Sequence, residues 1–152
     1  MNKFWGHLKT ITHHRHLVMR GCFRMGLIWQ GLTHDLSKYS PTEFLAGVRY
    51  YQGDRSPNTA EREANGYSLA WMHHKGRNRH HFEYWTDLSP KTRTYEPVDM
   101  PVRYLCEMVA DRIAACKTYQ GAAYTDASPL QYLDRANESR LVHPQTMKRL
   151  RF

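Results

Sequence analysis

Apolar residues recur at three- and four-residue steps along the N-terminal part of the chain, at Phe4, Leu8, Ile11, Val18, Cys22, Met25 and Trp29. That spacing is a helical stripe and predicts one long helix or two joined ones, with a bend allowed at Gly21, Gly26 or Gly31. Ser40-Pro41-Thr42-Glu43 sets an N-cap serine before a helix-opening proline, with a glutamate three residues after the cap. Such a capping box predicts a helix to about Tyr51. Gly53 to Pro57 reads as a turn, and short helices over 60–64 and 67–75 end near Gly66 and Gly76. Asn78 is placed to cap a further helix through Trp85, and 88–99, interrupted by Pro90 and Pro97, reads as loop. Pro101 opens a helix carrying Val102, Leu105, Met108, Val109, Ile113 and Cys116 and stopping at Gly121. Ser128-Pro129 opens another, and a last short helix follows Pro144. Strand alternation, hairpin dipeptides, repeats and linkers do not appear. The expectation is one all-α domain over 1–152.

Composition agrees with a single core, since 41% of the 152 residues are hydrophobic and 24% charged. No run approaches the roughly 18 apolar residues of a membrane helix. The first residues, Met1 to His7, lack the apolar segment of a signal peptide, so a cytoplasmic protein without a membrane partner is expected. Cys22, Cys106 and Cys116 cannot all pair with one another and read as reduced, mostly buried thiols. The net charge of +8 points to an anionic partner, a phosphorylated small molecule or nucleic acid. Glycine-rich phosphate loops, Cys-x-x-Cys pairs and a G-x-S-x-G elbow are all absent from the sequence. The basic group Lys148, Arg149 and Arg151 reads as a solvated helix end.

The ten histidines change the picture. They fall mainly in three groups: His13, His14 and His16; His34 followed by Asp35; and His73, His74, His80 and His81. Imidazole and carboxylate together suit divalent transition metals. In the first group only His14 projects on the side of the apolar stripe, where an inward imidazole needs a partner. His7, His16 and His143 read as surface or hydrogen-bonded residues, and Arg15 lies near the stripe, which requires snorkelling or an anion. On a helix His34 and Asp35 would point about 100° apart, so one would reach a metal from above and the other from the side. Lys38, four residues after His34, would share its helix face and neutralise a phosphate beside the metal. Asp111 lies mid-helix among Ala110, Ala114 and Ala115, with Glu107 one turn earlier. Close helix packing there would bury a carboxylate that then requires a cation.

His14, His34-Asp35-Leu36-Ser37-Lys38, the downstream histidines and Asp111 resemble the HD superfamily of metal-dependent phosphohydrolases. Its pattern is an early His, a His-Asp pair usually written HDxGK and a late Asp, all on a helical bundle. Ser37 stands where that pattern has glycine, and the gap from His14 to His34 is short for the superfamily. The stretches GLIWQGLTHDLSKYSPTEF, GYSLAWMHHKGRNRHHFEYW and MPVRYLCEMVADRIAA also resemble an uncharacterised family of small bacterial and phage proteins. The HD resemblance implies an HD-like helical bundle holding one or two ions of manganese, iron, nickel, cobalt or zinc. Ligands would be His14, His34, Asp35, His74, His80 and Asp111, with His73 and His81 as second choices, because spacing leaves open which histidine of each pair points inward. Lys38 and Arg77, with Arg79 beside them, would neutralise the phosphate of a phosphorylated small molecule or nucleotide. Two alternatives stand beside this phosphohydrolase reading. One is a di-iron oxygenase on the same scaffold, and the other a basic nucleic-acid- or protein-binding module with a structural metal.

Overall fold

The computed structural model describes residues 2–135 and 141–151. Among the described residues it is all-α, with eight helices and one small hairpin. The apolar stripe at the N-terminus becomes α1 (Lys3–Arg24), started by Asn2, whose Oδ1 accepts from the Phe4 amide at 2.9 Å. Gly26, in the left-handed region at φ 72°, turns the chain into α2 (Ile28–Thr33), so the stripe divides into two helices. The inner positions Ile11, His14, Val18 and Cys22 are buried, whereas Phe4, Met25 and Trp29 extend the stripe in sequence but are exposed.

Next come α3 (Pro41–Tyr50), α4 (Pro57–Asn65) and α5 (Leu69–Lys75), with α3 packed on both of the others. The segment after Asn78 is not the helix expected from its capping residue. It holds a single 3₁₀ turn, Phe82–Tyr84, because the Asn78 side chain is drawn onto Ser37 Oγ and the His74 carbonyl, both at 2.8 Å. The expected loop over 88–99 contains part of an antiparallel hairpin, β1 (Thr86–Leu88) with β2 (Tyr95–Pro97), in register Thr86 with Pro97. Its residues are exposed or half-buried, so the pair has no buried face to write alternation into the sequence. Then follow α6 (Val102–Gln120), α7 (Ser128–Arg135) and α8 (Pro144–Arg151).

The long helices α1 and α6 make the most extensive contact in the molecule. Val18 and Cys22 meet Ala110 and Ala114 there, and the approach is close enough that a Cβ on Gly21 would lie 3.1 Å from that of Ala110. A second cluster of Phe82, Met100, Leu105, Met108 and Val142 closes the other side of α6. The basic C-terminal residues are tied down rather than simply solvated: Arg149 donates to Asp99 and to the Met100 carbonyl, and Arg151 to Asp134. The described helices include none long and apolar enough to cross a membrane. The three cysteines are unpaired, Cys22 and Cys116 being buried, and burial raises both thiols, Cys22 to about 11.

His7 is not the surface residue its isolated position suggests. It is buried under α3 beside Phe44 and Tyr51, at a point where a Cβ on Gly47 would lie 2.1 Å from its Nε2. Burial, with help from Lys38, lowers its pKa from 6.5 to about 4. Between those values the unfolded chain binds a proton that the folded chain excludes, so stability falls as pH drops through that window. The contribution is on the order of 2–3 kcal/mol. His7 ring resonances are expected to hold their neutral shifts down to about pH 5 and titrate near 4; a midpoint above 6 would refute this burial.

Candidate metal centre

Five chain segments converge on one buried point between α1, α5 and α6. From α1 comes His14, whose Nε2 lies 2.9 Å from Asp111 Oδ1 on α6. The His34-Asp35 pair is not on a helix. His34 closes α2 in an extended conformation (ψ 127°) and Asp35 takes the left-handed region (φ 54°), which turns both side chains inward. A helix would have separated them by about 100°, so the departure from helical geometry is what lets neighbours share a site. Arg15 explains its place beside the stripe here, donating from Nε to the His34 carbonyl at 3.1 Å and from a terminal nitrogen to the Leu32 carbonyl. It thereby satisfies carbonyls at the end of α2 and fixes the loop that carries the pair.

Asp35 sits at the middle, fully enclosed. Its Oδ2 is 3.3 Å from His34 Nε2, while Oδ1 is 3.2 Å from His74 Nε2 and 3.4 Å from His80 Nε2. Of three donor sets whose atoms are close enough to hold one ion, two share Asp35: His14, His34, Asp35 and Asp111; and Asp35, His74, His80 and His81; the third is His34, His80 and Glu107. All six ligand candidates expected from the sequence are therefore brought together. His81, a second choice, joins them because 80–81 is non-helical and two consecutive imidazoles turn inward. His73 does not join; its Nδ1 bonds Glu43 Oε1 at 2.6 Å. His16 is exposed and His143 half-buried near Asp99.

Carboxylates behind the rings complete the geometry. Glu107 Oε1 lies 3.0 Å from His34 Nδ1 and 3.2 Å from His80 Nδ1, so one oxygen serves a ring from each donor set. Glu43 Oε2 holds His74 Nδ1 at 2.7 Å. Rings that donate from Nδ1 to a carboxylate present the Nε2 lone pair inward, the arrangement typical of metal-binding histidine. Glu43 stands three residues after the cap in the Ser40 capping box. Ser40 Oγ does accept the Glu43 amide, at 3.5 Å, but the Glu43 carboxylate turns to His73 and His74 instead of closing the box. Glu107 was visible as an acid one turn before Asp111, with no sequence signal for its two ring partners.

Four atoms facing the centre, His34 Nε2, Asp35 Oδ1, His80 Nε2 and His81 Nε2, are buried without a hydrogen-bond partner, while Lys38 ion-pairs Asp35 Oδ2 and His14 meets Asp111. Burying such groups unsatisfied costs several kcal/mol in total, and a cation between them is the arrangement that meets all their lone pairs. The residues present thus fit a divalent ion. Burial opposes charge on His34, yet Asp35, Asp111 and Glu107 carry its pKa well above the ordinary value. Burial likewise raises Asp35, and His34, Lys38 and His74 outweigh it and hold the carboxyl well below the usual range. His81 is pushed far down by burial and by His80 and His74.

Of the cations assigned to phosphate, Lys38 is at the centre: its Nζ lies 2.6 Å from Asp35 Oδ2 and its side chain is 27% exposed. The contact arises from a 3₁₀ turn, Leu36–Tyr39, and joins Lys38 to Asp35 at three residues rather than to the face of His34 at four. Arg77, exposed just past the end of α5, donates back to the His73 carbonyl of that helix, and Arg79 lies against Tyr84 and Tyr104. An open cleft of about 840 Å³ reaches the centre at Asp111 and His81.

A model of the family of unknown function DUF5662 matches residues 3–152. The chain belongs to that family. No curated protein and no solved structure is detectably similar to it. Nearly the whole of this DUF5662 member is thus covered by the match, including every candidate ligand from His14 to Asp111.

Proposed function

We propose that this protein is a metal-dependent hydrolase of phosphoesters that binds two divalent ions. The observation that carries the reading is the convergence of buried imidazole nitrogens without hydrogen-bond partners on the Asp35 carboxylate. His14, His34 and Asp111 would hold one ion, His74, His80 and His81 the other, and Asp35 both. A divalent ion in such a site supplies a water of lowered pKa and polarises a phosphoryl oxygen. The chain's own residues do the rest. With an ion bound, Glu107 and Glu43 would hold three imidazoles in the tautomer that turns a free Nε2 inward, and Arg15 keeps the His34-Asp35 loop in register. Lys38, ion-paired to Asp35 and partly open to solvent, places a fixed positive charge where a phosphoester would gain negative charge.

The test is a panel of phosphoesters assayed with Mn²⁺, Ni²⁺, Co²⁺ and Mg²⁺, after counting ions on the purified protein. Turnover that depends on one of these ions is expected, and Lys38→Ala should keep its metal while losing about 10²–10³-fold in turnover. Loss of metal in Lys38→Ala would make the lysine structural. A metal-loaded protein inert towards the whole panel, with the reduced iron form consuming oxygen, would replace hydrolysis by oxygen chemistry.

A further inference from the structure

The cleft above the centre has a composition that the metal ligands do not explain. Three guanidiniums line it, Arg62 from α4, Arg112 from α6 and Arg135 from α7, and Trp71, Tyr119 and Tyr132 supply flat rings between them. Arg62 lies 5.4 Å over the Trp71 ring and Arg112 5.8 Å over that of Tyr132, so two of the cations are stacked on the walls rather than projecting freely. The acidic lining residues are Glu83 and Asp111, and Asp111 also faces the metal-ligand rings. Positive charge therefore exceeds negative along a channel whose floor is Asp111 and His81. Its volume of about 840 Å³ exceeds what a lone phosphate needs and matches a ligand of drug size.

We propose, on the hydrolase reading above, that this cleft selects a phosphoester carrying an aromatic ring and a second anionic group. The reacting phosphate lies at the Asp111 and His81 end, the ring stacks among Trp71, Tyr119 and Tyr132, and the second anion meets Arg62 and Arg135. This assigns recognition of the second anion to Arg62 and Arg135 rather than to Arg77 and Arg79. Arg62 and Arg135 are both exposed on short helices, so replacing them leaves the core and the metal ligands untouched.

The probes are adenosine 5′-monophosphate and adenosine 3′,5′-bisphosphate, which differ by one phosphate, with p-nitrophenyl phosphate as the small reference. Binding to the manganese-loaded full chain is read by calorimetry and phosphate release by assay. The bisphosphate is expected to bind about tenfold or more tightly than the monophosphate, the worth of a charge-assisted contact. Arg62→Ala and Arg135→Ala should each erase most of that preference, while their ion count and helical circular dichroism match the parent. Equal affinity for the two adenosine probes, or a preference untouched by both substitutions, overturns the proposal. If p-nitrophenyl phosphate is hydrolysed without such a preference, the cleft assignment fails and the hydrolase reading stands. If the preference appears but no probe is hydrolysed, the cleft assignment stands and the hydrolase reading fails.

Discussion

Asp35→Ala is expected to leave the protein unable to retain either ion. Its two oxygens face different donor sets, Oδ2 towards His34 and Oδ1 towards His74 and His80, so one substitution removes a ligand from both. The loss of affinity should exceed the roughly 10–100-fold that outer partners of metal ligands contribute. Removing His34 or His74 alone should by contrast lower the count from two ions to one. Elemental analysis of purified variants reads this directly, and circular dichroism checks that the helices persist. His16→Ala, on the exposed side of α1, is the control and should match the parent. A full complement of metal in a folded Asp35→Ala protein would sink the two-ion centre.

Glu107→Gln should weaken both ions together, although Glu107 belongs to neither of the donor sets that contain Asp35. Its Oε1 receives Nδ1 of His34 and of His80, one ring from each set, and an amide oxygen there loses the charge that makes both bonds strong. A fall of about 10–100-fold in affinity at both sites is the expected scale. Glu43→Gln provides the contrast, because Glu43 backs His74 and the non-ligand His73 and so should weaken one ion. Isothermal titration of the metal-stripped proteins separates the cases through the number of sites affected. If Glu107→Gln disturbs one site and spares the other, Glu107 orients a single ring and the shared role is wrong.

Burial of residues that sit alone on a helix face was the hardest thing to read in advance. His7 and His16 both lie on α1, and neither carries a sequence signal for a partner. Only the packing of α3 makes them different, since Gly47 leaves the room that the His7 ring fills. Trp29 errs the other way: it continues the apolar stripe by spacing, yet the turn at Gly26 rotates α2 so that the indole is 73% exposed. Periodicity reports one helix axis at a time, and a break in the axis resets which face is inside.

The sequence by itself determined the all-α class and most helix starts and stops, because capping residues, prolines and glycines act locally on the backbone of their own turn. Resemblance to the HD pattern named His14, His34, Asp35, His74, His80 and Asp111 as ligand candidates, while spacing left open which of His73 and His74, and of His80 and His81, turns inward. Tertiary structure decided what local rules cannot. It set His34-Asp35 and His80-His81 outside helices so that neighbours face one point, and turned Arg77 back onto the end of α5. Glu43 and Glu107 were brought behind the imidazoles across 31 and 73 residues of chain. Those contacts join segments with no periodic relation to one another, so only the packing of α1, α3, α5 and α6 creates them.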